Sequence, residues 1–167
     1  MCCVFDGAHG SHEAGITAIS TGAVSVVLSG GHNNEYADVD ELDIVRYCGT
    51  KGTRDPHGGD IGVKSSATQS LFDAMQNHQP VRLIRSSKSK GKEREGAEVI
   101  APSKGFRYDG LYDVTDVETL SVRFAMFRFV LRRQAGQVGV RYKGVGKKPN
   151  GQDLLNWNRE ENMGVQE

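Results

Sequence analysis

The chain has 167 residues, 37% of them hydrophobic, and its 21 basic and 21 acidic side chains give a formal net charge of zero. This length suits one domain, and neither a run of about 18 apolar residues nor a signal-type N-terminus is present, so we expect a protein inside the cell. The three cysteines, Cys2, Cys3 and Cys48, form no pair of CxxC motifs, which argues against a zinc site and for reduced thiols.

Short β-prone runs separated by glycines predict a sheet-rich chain. In chain order, the expected strands are Val24–Leu28, Leu42–Tyr47, Val81–Arg85, Gly110–Asp116 and Phe124–Arg132. In the last of them, large apolar residues alternate with residues that are mostly basic. One face of that strand, formed by Phe127, Phe129 and Leu131, is therefore expected in the core, and the opposite face is expected to be partly cationic.

One helix is expected between the second and third of these strands, over Ser65–Asn77. Its apolar stripe has helical spacing and consists of Ala67, Leu71, Ala74 and Met75. The polar, lysine-rich segment from residue 86 to residue 105 is expected to be a loop. The residues after Gly144 are expected to form a tail anchored by Trp157.

Charge is distributed unevenly along the chain. No Asp or Glu occurs between Ser121 and Asn150, although this segment holds eight basic residues, whereas acidic residues gather between Glu35 and Asp43. A basic face can steer a polyanion such as DNA even when the net charge is zero. Ordinary solvated charge accounts for the distribution equally well, and both interpretations stay open.

Four stretches carry a family resemblance: residues 7–16, residues 22–31 with a Gly-Gly pair, residues 80–85 with the letters PVRLIR, and residues 106–112 with the letters YDG. In this order, and followed by Phe129–Gln134, they resemble the SRA (SET and RING associated, or YDG) family. The resemblance implies an α+β chain with a twisted, barrel-like (PUA-like) SRA fold and flanking short helices. It assigns residues 1–145 to the domain, short at its N-terminus relative to the family, and residues 146–167 to a C-terminal tail.

The resemblance also implies a function: reading 5-methylcytosine in duplex DNA by flipping the base, without catalysis. A flipped base loses stacking and pairing, which costs a few kcal/mol, so its pocket must provide aromatic faces and hydrogen-bond partners. In the family, backbone groups of the glycine pair and of the residue after the second tyrosine meet part of the base edge. The implied pocket residues are Gly30, Gly31, Tyr36, Asp38, Tyr47, Cys48 and Thr50.

Three side chains have distinct implied roles in this pocket. Tyr36 and Tyr47 would stack on the two faces of the base. The carboxylate of Asp38 would accept the cytosine amine and reject thymine, whose carbonyl would face it. An insertion separates Tyr36 from the glycine pair, so His32 stays an alternative stacking ring, although we favour Tyr36.

Contacts to the DNA backbone or grooves are implied for His12, Glu13, Gly15, Arg54 and Lys64. Glu13 stands where the family often has an apolar or amide side chain. The loop over residues 56–64 lacks the arginine that vertebrate family members carry there. A preference for hemimethylated sites is therefore not carried over to this chain.

Several motif residues have more than one interpretation. Arg107 and Arg128 suit phosphate contacts or sheet-face charges equally well, and Asp109 of the YDG motif is expected to secure a turn through backbone hydrogen bonds. His9 and His12 have a spacing that can place two imidazoles together, but no third ligand follows, so no metal is expected.

The expected partner is double-stranded DNA in methylated form, with chromatin proteins as a second class of partner and the nucleus as the location. No membrane partner and no cofactor are expected. The main alternative is a degenerate SRA fold that binds DNA nonspecifically or docks a chromatin protein. An enzyme is not expected, because the sequence contains neither a GxSxG nucleophile elbow nor a metal triad.

Overall fold

The structure is a computed structural model that describes residues 9–10, 15–29, 38–89, 99–144 and 146–155. Seven strands and one main helix make up this part of the chain. The strands are β1 (Ile16–Ile19), β2 (Gly22–Leu28), β3 (Val39–Asp40), β4 (Ile44–Cys48), β5 (Val81–Ser86), β6 (Phe106–Ser121) and β7 (Met126–Arg133), and the helix α1 (Ser66–Gln76) lies between β4 and β5.

All seven strands belong to one sheet with the order β1-β2-β5-β6-β7-β4-β3. Only the β2–β5 pair is parallel among these strands, because the chain crosses over through β3, β4 and α1 between them. The described sheet is open, with β1 and β3 at its edges. The predicted α+β, mostly sheet-built fold is confirmed, and the edge strand β3 with its neighbour β4 places residues 38–48 at one edge of the sheet.

The predicted helix is confirmed almost to the residue. Ser65 is its N-cap, where the side-chain oxygen accepts a hydrogen bond from the Thr68 amide, and Asn77 is its C-cap. Leu71 and Ala74 are buried and pack the helix onto β2. The approach is so close that a Cβ atom on Gly22 would lie 2.5 Å from the Ala74 nitrogen.

The hydrophobic core lies between α1 and one face of the sheet. Val26, Leu83, Phe129 and Leu131 are fully buried in it, and Phe72 of the helix meets Phe129 edge-to-face at 5.0 Å between ring centroids. The side-chain alternation predicted for the last strand is confirmed, since Phe129 and Leu131 are buried while Arg132 is exposed.

Two of the predicted strands begin two residues later than expected, and in both cases the backbone leaves the β region. The strand predicted from Leu42 begins at Ile44, because Leu42 has a φ of 71°. The strand predicted from Phe124 begins at Met126, because Ala125 has a φ of 42° in the turn that joins β6 to β7. In addition, β6 is 16 residues long, extending beyond the predicted Gly110–Asp116 at both ends.

The boundary between domain and tail at residue 145 stays a prediction. The Arg107 guanidinium donates to the carbonyl oxygens of Arg141 and Lys148, which lie on either side of it in the sequence. Residues 151–155 are helical, and Trp157 lies outside the described residues. Within the described ranges, no helix is both long and apolar enough to cross a bilayer.

Candidate nucleic-acid interface

The structure brings together two of the predicted pocket residues, Asp38 and Cys48. Strand β3 pairs with β4 through Val39–Arg46 and Asp40–Val45, so the residue before β3 comes level with the end of β4. The amide N–H of Cys48 donates to Oδ1 of Asp38 at 2.7 Å. This bond fixes one carboxylate oxygen and orients the carboxyl group at the end of the strand pair.

The Asp38 carboxyl is partly withdrawn from water. Its pKa is raised from 3.8 to about 6, mainly by burial and to a smaller extent by the charge of Asp40, while the hydrogen bond from Cys48 opposes the shift. At pH 7 the group is still mostly ionised. It is therefore a poorly solvated hydrogen-bond acceptor, which suits the recognition of an amine donor.

Tyr47 is buried, with only 6% of its surface exposed to solvent. It belongs to the hydrophobic core, lies opposite Phe129 in the β4–β7 pair, and donates its hydroxyl to the Gly15 carbonyl oxygen at 3.1 Å. This hydrogen bond places Gly15, which is predicted as a DNA contact, beside Tyr47, and Gly15 itself is exposed. Its own role in binding DNA stays a prediction.

Thr50, which follows β4, connects this strand to helix α1. Its backbone carbonyl accepts hydrogen bonds from the hydroxyls of Thr68, at 2.6 Å, and Ser65, at 3.1 Å. Thr50 itself is exposed, whereas Cys48 is buried. Helix α1 therefore holds the chain immediately after β4, and its N-cap residue, Ser65, takes part in that contact.

The two predicted cationic contacts, Arg54 and Lys64, are both exposed and both lie over aromatic rings. The Arg54 guanidinium lies 5.3 Å from the Phe124 ring centroid, and the Lys64 ammonium lies 4.9 Å from that of Phe72. A ring beneath a cation restrains the side chain without neutralising its charge. These two cations thus remain able to meet phosphate, and their contact with DNA stays a prediction.

Lys64 also lines an open groove of about 670 Å³ between the loop after β4 and the β6–β7 hairpin. Most of its other walls are apolar. Among them, Ile61 is 72% exposed, and Val63 and Val122 are also exposed. The groove lies beside the loop over residues 56–64 and does not include Asp38 in its walls. Its walls include Ile61, Val63, Lys64, Val122, Ala125 and Phe127.

Five predicted site residues lie outside the described residues: Gly30, Gly31, Tyr36, His12 and Glu13. His32, the alternative stacking ring, lies outside them too. His9 is described, and its Nδ1 atom lies 2.7 Å from the Ser25 hydroxyl in a buried position. Among the described residues, no group of three or more His, Cys, Asp or Glu side chains is placed to hold a metal ion.

A buried ion network beside the pocket was not predicted from the sequence. Arg85 of β5 is fully buried and lies between the carboxylates of Asp40 and Asp109, with contacts of 2.7 and 2.8 Å. Arg107, also buried, donates to both oxygens of Asp109. The expectation that Asp109 secures a turn through backbone hydrogen bonds is wrong, because its carboxylate binds two guanidinium groups in the interior.

The structure contradicts both open interpretations of Arg107, whereas those of Arg128 stay open. Arg107 is held inside by Asp109 and by the Ile100 carbonyl oxygen, so it is not available to phosphate. Arg128 pairs on the sheet face with Glu118 at 2.6 Å. The signal that pointed to the network was present in the sequence, since Arg85, Arg107 and Asp109 all occur in motifs that carry the family resemblance.

Burial alone would lower the pKa of Arg85, but its hydrogen bonds to Asp40 and the charges of Asp40 and Asp109 outweigh that effect and raise the pKa above its ordinary value. Arg85 therefore stays charged in the interior. Breaking such a pair by removing one partner leaves an uncompensated buried charge, which destabilises a protein by about 3–5 kcal/mol.

The chain is similar in sequence to known SAD/SRA domains. The sequence model of the SAD/SRA domain matches residues 1–137. The E3 ubiquitin-protein ligase UHRF1 of Rattus norvegicus is 33% identical over 151 residues, which cover 76% of this chain and 18% of the rat protein. The chain thus spans less than a fifth of the length of that relative.

Two solved structures resemble the fold. The SRA domain of SUVH5, in a complex with hemimethylated CG DNA, is 29% identical with a TM-score of 0.56, and the match covers 81% of this chain and 83% of that one. The modification-dependent restriction endonuclease TagI is 28% identical with a TM-score of 0.58, and the match covers 80% of this chain and 46% of that one.

Proposed function

The chain belongs to the SAD/SRA domain family, and on that premise we propose that it reads modified cytosine, in the first place 5-methylcytosine, in double-stranded DNA by flipping the base into a pocket at the end of β4. The observation that carries this proposal is the Asp38 carboxylate, which the Cys48 amide holds beside the buried Tyr47. The SUVH5 complex with hemimethylated CG DNA supports the choice of ligand.

The chemistry of the pocket follows from the donor and acceptor pattern of the base. One oxygen of Asp38 accepts the Cys48 N–H, and the carboxylate keeps further acceptor capacity for the exocyclic amine of cytosine. Thymine has a carbonyl oxygen at that position, and two acceptors would repel each other. Each such unpaired group in a desolvated site costs about 1–3 kcal/mol, which corresponds to discrimination of about fivefold to a hundredfold or more.

The remaining parts of the proposal concern Tyr36, the glycine pair and the cations. Tyr36 stacks on the second face of the base, and backbone groups of Gly30 and Gly31 meet its remaining edge. Arg54 and Lys64 contact phosphates, which position the domain on the duplex without reading sequence. Their exposed cationic groups over aromatic rings support this assignment.

We further propose that this chain is a reader and not an enzyme. The roles assigned above are to bind and orient a base, and none of them makes or breaks a bond. The activities named for UHRF1 belong to a protein of which this chain matches 18%. The Arabidopsis relative SUVH5, named as a histone-lysine N-methyltransferase, supports a location in the nucleus and a role in chromatin.

The test is binding of the purified chain to one short duplex that carries cytosine, 5-methylcytosine or 5-hydroxymethylcytosine at the same position, at near-physiological salt. We expect a preference of about tenfold or more, equivalent to about 1.4 kcal/mol, for a modified duplex. The Asp38→Ala variant should lose that preference, because the acceptor for the amine is removed. Affinity should be measured by titration with fluorescence anisotropy.

A matched control is Asp43→Ala, which removes an exposed acid from the same segment without touching the pocket. The control should keep the preference of the wild type. Equal losses on modified and unmodified duplexes in Asp38→Ala would contradict the proposal.

A second candidate function is nonspecific DNA binding by a degenerate member of the family. The deep burial of Tyr47 and the zero net charge favour it. It predicts weak binding with a steep salt dependence and no effect of cytosine modification. Docking of a chromatin protein would instead leave both kinds of duplex unbound at physiological salt.

A further inference from the structure

The buried ion network reaches the segment that carries Asp38. Arg85 donates to Asp40 through two parallel hydrogen bonds, from Nε to Oδ2 and from Nη2 to Oδ1, each 2.7 Å long. A bidentate fork of this kind fixes the orientation of the carboxylate as well as its distance. On its other side Arg85 is held by Asp109 of the YDG motif, so Asp40 is anchored to the interior of the sheet.

The same network holds the turn that follows Asp40. Leu42 has a φ of 71°, a left-handed conformation that is strained for a non-glycine residue. Its carbonyl oxygen accepts hydrogen bonds from Arg85, at 2.8 Å, and from the Tyr112 hydroxyl, at 2.7 Å, and its amide donates to Asp40. Such a conformation persists only where surrounding contacts enforce it, and here these three bonds do so.

Strand β3 has little hold on the sheet by itself. It lies at the sheet edge, is two residues long, and pairs with β4 at only two positions. A strand this short cannot by itself fix the residue that precedes it. The fork from Arg85 to Asp40 and the enforced turn at Leu42 therefore define where Asp38, two residues before Asp40, meets the Cys48 amide.

From these contacts we propose that Arg85 is a positioning residue for base reading: through Asp40 and Leu42 it holds the β3 segment so that the Asp38 carboxylate faces the flipped base. The inference rests on the proposed function for the identity of the ligand. The YDG motif then acts in reading indirectly, because Asp109 holds Arg85 from behind while Asp38 contacts the base.

Arg85 also balances charge next to the reading carboxylate. Asp40 is close enough to Asp38 to raise its pKa, and Arg85 is the cation that neutralises Asp40. If Arg85 is displaced, the negative charge of Asp40 is less compensated, and protonation of Asp38 becomes easier. Displacement of Arg85 should therefore change both the orientation of the Asp38 carboxyl group and its ionisation.

The experiment compares Arg85→Lys with Arg107→Lys. Both arginines are buried, both bind Asp109, and both changes keep a positive charge, but only Arg85 contacts Asp40 and Leu42. A lysine cannot form the bidentate fork. In Arg85→Lys we expect the preference for the methylated duplex to fall by about tenfold, with affinity for the unmodified duplex changing by less than about twofold.

Two further measurements separate positioning from general destabilisation. Thermal unfolding should show that both variants are less stable than the wild type, whereas only Arg85→Lys should lose the methyl preference. Hydrogen exchange of the Cys48 amide, which donates to Asp38, should accelerate in Arg85→Lys relative to Arg107→Lys. If Arg85→Lys does not fold, Tyr112→Phe removes one bond to Leu42 and should cause a smaller loss of preference in the same direction.

Retention of the full methyl preference in folded Arg85→Lys, or an equal loss in Arg107→Lys, would overturn the positioning role. A wild type without any methyl preference would defeat the proposed function instead. In that case the Cys48 amide still decides the inference, because its faster exchange in Arg85→Lys alone supports positioning, and equal exchange in both variants refutes it.

Discussion

At the scale of single residues, Asp38 meets two opposing demands. Recognition of an amine requires an ionised carboxylate, but partial burial favours the protonated form and raises the pKa to about 6. The hydrogen bond from Cys48 to Asp38 offsets part of that burial. The result is a group that is ionised at neutral pH and close to losing its charge under mildly acidic conditions.

We therefore expect the preference for methylated DNA to depend on pH through Asp38. Above pH 6 the carboxylate accepts the amine, and below pH 6 it takes up a proton and loses acceptor capacity. Between pH 7.5 and pH 5 the preference should fall by about tenfold, since each pH unit below the pKa reduces the ionised fraction about tenfold. Anisotropy titrations across this range measure it, with a midpoint expected near pH 6.

The Asp38→Asn variant is the reference, because an amide does not titrate. It should lack the step near pH 6, and a step of equal size in this variant would contradict the assignment. The effect on stability has the opposite sign. The carboxyl ionises near pH 3.8 in the unfolded chain and near pH 6 in the folded chain, so the stability that Asp38 contributes relative to the amide variant is full below about pH 4 and lost as the pH rises through 6.

At the scale of elements, the approach of helix α1 to strand β2 explains why a glycine stands at the start of the strand. Gly22 has a φ of 135°, and a Cβ atom there would lie 2.5 Å from the Ala74 nitrogen and 2.9 Å from its Cα. The contacting atoms belong to the helix backbone, which cannot move aside as a flexible side chain can. The glycine thus serves both the turn and the packing.

We expect Gly22→Ala to be strongly destabilising and propose Gly136→Ala as its control. Gly136 has a φ of 77°, but a Cβ atom there would have nothing within 4 Å. The control should lower the free energy of unfolding by about 1 kcal/mol through backbone strain alone, and Gly22→Ala by about 1–3 kcal/mol more through overpacking. Urea unfolding measures both. Equal losses would show that the helix shifts freely.

At the scale of the whole molecule, the net charge of zero conceals how the charges are used. Asp40 and Asp109 neutralise Arg85 and Arg107 in the interior. On the surface, Arg128 pairs with Glu118 and Arg46 with Glu41. Arg54 and Lys64, by contrast, contact ring faces that leave their charge available to a polyanion. Formal charge is therefore a poor measure of the field that DNA would meet.

We expect Arg54→Ala and Lys64→Ala each to weaken binding of methylated and unmodified duplexes equally, by about three- to tenfold, because phosphate contacts carry no sequence information. Each variant should also reduce the slope of log affinity against log salt by about 0.9. Titrations at several salt concentrations measure both effects. Arg128→Ala is the control, since Glu118 already neutralises that guanidinium, and a loss as large as that of Arg54→Ala would argue against the assignment.

Patterns in the sequence determined several parts of this protein. The alternation of Phe127, Phe129 and Leu131 with mostly basic neighbours predicted the buried face of β7, and the helical spacing of its apolar stripe predicted α1. Both features depend on side-chain periodicity. The motifs also identified Asp38 and Cys48 as members of one site, which the hydrogen bond between them supports.

Only the tertiary structure decided which charged motif residues lie in the interior and what they bind. Arg82 and Arg85 are three residues apart in one strand, so alternation predicts opposite faces, but it does not predict that Arg85 is fully buried. The partners of Arg85 lie 45 residues earlier and 24 residues later in the chain. Left-handed Leu42 likewise follows from contacts with Arg85 and Tyr112. Periodicity reports which face a residue occupies, whereas these contacts depend on the register between distant strands, and that register is set by packing of the whole sheet.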